Sequence, residues 1–84
     1  MNAELPSSSQ QQESIVLSVR ELGALIRQAR KNQNLTQEDI SGLAGLGNRF
    51  IIDLERGKET VQAQKVLDVL ALLGLEVVIR KVSA

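Results

Sequence analysis

The chain has 84 residues, 43% of them apolar, enough for one small domain with a thin core and no more. It holds no Cys and no His, which excludes disulfides, thiol chemistry, the usual zinc sites and imidazole catalysis. Phe50 is the only aromatic residue, which argues against binders that stack single-stranded bases on aromatic platforms. Ten basic and ten acidic residues cancel, but from Arg20 to Lys58 seven cations face five acids, so placement matters more than the sum.

Residues 1–17 open the chain. Through Ser14 they carry Pro6, several Ser and Gln and almost nothing apolar, and read as a flexible tail. Ile15-Val16-Leu17 is either a strand fragment or the lead-in to a helix. The domain proper spans 18–74. Ser18 and Glu21 form a capping box, with Leu17 and Leu22 as a hydrophobic staple. Leu22, Leu25, Ile26 and Ala29 then share one helical face, and Asn32 to Asn34 end the helix. Thr36 caps a second helix, with Asp39 in the reciprocal position and Ile40, Leu43 and Ala44 turned inward. Gly45 breaks that helix.

A third helix runs from Gly47 or Asn48 to Glu55. It buries Ile51 and Leu54 and closes on Gly57 as a C-cap glycine. Phe50 reads as a core anchor, the other reading being part of an apolar partner surface. Thr60 opens a fourth helix, with Val66, Leu67, Val69, Leu70 and Leu73 inward and Gly74 ending it. Residues 75–84 change period: Leu75, Val77 and Ile79 alternate with Glu76, Val78 and Arg80, as in a β-strand. A lone strand leaves its backbone groups unpaired, so the same strand of a second copy is the favoured partner. Leu75, Val77, Val78 and Ile79 would then be dimerisation residues. Pairing with Ile15-Val16-Leu17 and plain coil are the other readings.

Two short helices joined by a Gly-containing turn, the second lying in the major groove, define a helix-turn-helix. Ser41 is the small residue where the helices cross, and Gly45 makes the turn. Leu35-Thr36-Gln37-Glu38-Asp39-Ile40 through Asp53-Leu54-Glu55-Arg56-Gly57-Lys58 resembles the Xre/Cro family of repressors, over about Ser18 to Leu73. Arg49-Phe50, the following helix and the run Leu75-Glu76-Val77-Val78-Ile79-Arg80 are similar, more narrowly, to HipB-like antitoxins of type II toxin-antitoxin systems.

The resemblance implies an all-α, lambda-repressor-like bundle of four to five helices, with a short C-terminal β-strand completing a dimer. It implies a non-enzymatic, cytoplasmic and nucleoid-associated repressor of double-stranded operator DNA, partnered by a HipA-like kinase toxin. No membrane, cofactor, metal or catalytic residue is implied. In the family's pattern Gln37 clamps phosphate at a helix N-terminus. Asn48 and Arg49 enter the major groove, where Arg bridges guanine O6 and N7 and Asn bridges adenine N6 and N7.

Ile52 faces a thymine methyl and Asp53 a cytosine N4, or neither touches DNA. Arg56 and Lys58 suit phosphates. Gly47 holds the DNA-contacting cap position without the Ser or Thr side chain that touches phosphate there. Arg30 and Glu55 match a partly buried ion pair that joins the first and third helices. The alternative is a protein-interaction module that uses the helix-turn-helix core as a scaffold to bind and neutralise a partner.

Overall fold

The computed structural model describes residues 13–83, and most of the expected N-terminal tail lies outside them. Among the described residues four helices follow in order: α1 (Val19–Asn32), α2 (Gln37–Ala44), α3 (Asn48–Arg56) and α4 (Ala63–Leu72). Each start has a local cause. Ser18 Oγ accepts from the Glu21 N–H at 3.1 Å, while Glu21 Oε1 accepts from the Leu17 N–H at 2.7 Å, one residue outside the expected box. Thr36 and Asp39 form the full reciprocal box, at 3.0 and 2.9 Å. Gly45, left-handed at φ 69°, ends α2, and the Ser41 hydroxyl donates to the Leu46 carbonyl to fix the turn.

The core is Ile26 from α1, Ile40 from α2, Ile51 and Leu54 from α3, and Val66, Val69 and Leu70 from α4 with Leu73 just beyond it. Burying one such side chain contributes about 1.5–3 kcal/mol. α1 packs on α3, and α2 packs on both α3 and α4. The α1–α3 contact is made backbone to backbone at Gly23. A Cβ there would sit 2.2 Å from the Leu54 carbonyl oxygen and 2.9 Å from that of Glu55. Gly57 serves twice. Its φ of 86° closes α3, and a Cβ on it would lie 2.6 Å from Arg20 Cα.

Several expectations are corrected. Thr60 does not open α4: Val61 packs against the core, and the helix begins only after Gln62. Leu17, Leu43 and Leu67 are exposed rather than buried, because a bundle this small covers only part of each apolar stripe. The staple is therefore not made within the chain. Phe50 does pack against the core, half-buried, with the Lys65 ammonium 5.7 Å from its ring centroid.

The C-terminal strand is absent among the described residues. The Leu75 N–H bonds back to the Leu70 carbonyl at 2.8 Å and its side chain packs on the core, so Leu75 does not face outward. Residues 76–83 have no regular structure, and the ladder fails for want of a second strand. Ile15-Val16-Leu17 shares no backbone hydrogen bond with this tail; Arg80 and Glu13 link the two segments by an ion pair at 3.2 Å. Val77, Val78, Ile79 and Val82 remain exposed.

Candidate nucleic-acid interface

The surface of interest is the outward face of α3. Ile51, Leu54 and Glu55 point inward, so helical geometry turns Arg49, Ile52, Asp53 and Arg56, at spacings of three and four, into one stripe on the opposite side. Asn48 and Arg49 stand at the N-terminal end and are exposed. Gly47 precedes them as a cap without a side-chain hydrogen bond. Ile52 is half-buried; with Arg27, Gln37, Glu55 and Arg56 it lines a concavity of about 380 Å³ where α1, α2 and α3 meet. The structure thus brings Gln37, Ile52 and Arg56 together. Asn48, Arg49 and Gly47 lie farther up the same helix.

Beneath this face lies the expected ion pair. Arg30 donates through Nε to Glu55 Oε2 at 2.6 Å and through Nη2 to Oε1 at 2.9 Å, and its Nη1 reaches the Leu35 carbonyl at 2.8 Å. The two side chains are 8% and 3% exposed, so the pair is buried. Gln37 Nε2 donates to the same Glu55 Oε1 at 3.1 Å, tying the first residue of α2 to the pair. Burial pushes the Glu55 carboxyl up, but hydrogen bonds from Arg30 and Gln37 and the charges of Arg30 and Arg27 outweigh it. The net effect holds Glu55 below the usual carboxylate range. The hydrogen bond to Glu55 raises Arg30 against the opposing effect of burial.

Asp53 is the acidic member of the stripe. Its Oδ1 lies 3.3 Å from Arg49 Nε and its Oδ2 3.5 Å from Lys58 Nζ. Arg27 was not among the residues singled out from sequence. Its one signal is a position off the apolar face of α1, shared with other surface cations.

The helix-turn-helix domain model matches residues 23–77, a span that runs from within α1 past the end of α4. The chain belongs to the helix-turn-helix transcriptional regulators. An uncharacterized HTH-type transcriptional regulator, y4mF of Sinorhizobium fredii (strain NBRC 101917 / NGR234), is 54% identical over 57 residues, or 68% of this chain and 75% of that protein. Among solved structures, a chain of a HipA-HipB-O2-O3 complex superposes with a TM-score of 0.77 at 15% identity, covering 84% of this regulator and 100% of itself. A chain of a HipB-O4 20mer complex gives the same TM-score, identity and coverage. The regulator therefore has the HipB-like fold. No helix among the described residues is long and apolar enough to cross a membrane.

Proposed function

We propose that this regulator is a dimeric repressor that binds double-stranded operator DNA through α3, and that it acts as the antitoxin of a HipA-like kinase in its own operon. The carrying observation is the solvent-facing stripe of α3, with Gln37 held beside it at the start of α2. A helix N-terminus with an adjacent amide suits a phosphate, and the exposed Asn48 and Arg49 suit base edges. Arg56 and Lys58 extend the phosphate contacts, and Ile52 supplies an apolar touch between them. Repression follows from occupancy of a promoter, with no chemical step.

Dimerisation is the second part of the reading. Ile15 and Leu17 before α1 and Val77, Val78 and Ile79 after α4 are 57–94% exposed, an apolar strip that a lone chain leaves wet. Pairing of residues 76–83 between two copies would supply the missing ladder and set two α3 helices to read half-sites about one DNA turn apart. The antitoxin role rests on the resemblance of the sequence to HipB-like antitoxins. Co-purification of a kinase encoded in the same operon would support it, and a clean failure to co-purify would remove it.

The test is fluorescence anisotropy with duplex from upstream of the regulator's own gene, beside a scrambled duplex, near physiological salt. Selective binding with two chains per site is the expected result. Equal, weak binding to both duplexes would refute the repressor reading and leave the protein-interaction module.

A further inference from the structure

Asp53 is out of place on a surface meant for phosphates, and its surroundings explain what it does there. It sits on the exposed stripe of α3, yet its side chain is only 17% exposed, and Arg49 and Lys58 each pair with it. The Arg49 side chain is 74% exposed and the Lys58 side chain 57% exposed. One carboxylate oxygen faces each cation.

Arg49 approaches Asp53 through Nε. A guanidinium has five N–H donors in a rigid plane, and an approach through Nε spares the two terminal nitrogens. Those two nitrogens are the ones that fork onto guanine O6 and N7. A carboxylate one helical turn along, at i+4, therefore acts as a buttress. It fixes the long side chain before DNA arrives, so less conformational entropy is lost on contact. It also repels phosphate, which weakens binding wherever Arg49 finds no guanine.

Resting on the DNA-binding reading above, we propose that Asp53 is the specificity-setting residue of this regulator: it holds Arg49 as a guanine reader and restrains Lys58 from indiscriminate phosphate contact. Asp53 then touches no base itself. This differs from a carboxylate that accepts from cytosine N4, in which case the favoured base opposite Asp53 would be cytosine.

The experiment is selection from a randomised duplex pool with the full-length chain, followed by anisotropy on the selected duplex and single-base variants at several salt concentrations. Wild type, Asp53→Asn, Arg49→Lys and the double variant are compared, with circular dichroism confirming equal helicity. Wild type is expected to select guanine at one position per half-site, by roughly 5- to 150-fold over other bases. Asp53→Asn should still bind, with guanine preference clearly reduced toward that of the other bases and scrambled duplex bound more tightly. On the scrambled duplex its salt dependence should steepen by about one phosphate contact as Lys58 is released.

Arg49→Lys keeps the charge but replaces the planar fork by a single ammonium and should weaken the preference by itself. Adding Asp53→Asn to it should change that preference no further. An intact guanine preference in Asp53→Asn overturns the proposal while leaving the DNA-binding reading in place. So does a cytosine preference that Asp53→Asn abolishes. If wild type enriches no sequence at all, the DNA-binding reading falls and this proposal falls with it.

Discussion

Glu55→Ala is the substitution whose outcome the structure defines most sharply. It removes the carboxylate that accepts from Arg30 at 2.6 and 2.9 Å and strands a guanidinium that is 8% exposed, with the Leu35 carbonyl as its remaining acceptor. It also frees the Gln37 amide. Removing one partner of a buried pair costs about 3–5 kcal/mol, mainly because the other charge is left uncompensated. A chain of 84 residues has roughly 4–13 kcal/mol of total stability, so the variant should lose a large share of it.

The sequence has neither Trp nor Tyr, so the assay is urea unfolding followed by far-ultraviolet circular dichroism at fixed chain concentration. The double variant Arg30→Met with Glu55→Leu replaces the pair by apolar side chains and should recover most of the loss. A cost below about 1 kcal/mol for Glu55→Ala, the level of an exposed pair, would refute the claim that this pair is buried and structural.

Other expectations follow from the same geometry. Glu55 and Asp39 are both held below their ordinary values of 4.5 and 3.8, Asp39 by hydrogen bonds from the Thr36 backbone and side chain. The unfolded chain therefore binds more protons in acid, so their contribution is present above about pH 4.5 and is lost as pH falls through the lower folded values. Urea midpoints at pH 7 and pH 3 should show the drop, and Glu55→Gln should flatten it. Gly42 has open space around it in the middle of α2, so Gly42→Ala should add up to about 1 kcal/mol. Gly23→Ala, driven into the Leu54 carbonyl, should destabilise despite the same helix-propensity gain; equal thermal melts for the two would contradict the close α1–α3 approach. Gly47→Ser should add a few tenths of a kcal/mol through a new N-cap and tighten binding to all duplexes alike, read by melting and anisotropy.

The parts that were legible in sequence are those with local causes. Thr36 with Asp39, Gly45 and Gly57 mark α2 and the end of α3 within a few residues of themselves; the bounds of α2 match, and α3 runs one residue past the expected Glu55, to Arg56. Thr60 misled because a threonine before an apolar run looks like a cap, while the pull of Val61 onto the core acts at a distance. Gly23 left no trace in the pattern. Its reason is the backbone of Leu54 and Glu55, thirty-one residues or more away along the chain.

The alternation after Leu75 is the same whether or not a neighbour exists, since a ladder belongs to two segments and sequence describes one. At the candidate interface, Gln37, Asn48, Arg49, Arg56 and Lys58 could be placed from the motif. The pairing of Asp53 with Arg49 and Lys58 needed side-chain positions.

The hydrogen bond from Gln37 to Glu55 changes how variant libraries of this regulator would have to be interpreted. A reporter screen scores loss of regulation without distinguishing a missing contact from a missing fold. Substitutions at Glu55 or Arg30 would score like those of Gln37, and a heat map would paint α3 as contact surface on both sides. Ranking the same library by soluble abundance would separate the two sets: Gln37 variants would persist in the cell, and Glu55 variants would be cleared by proteolysis.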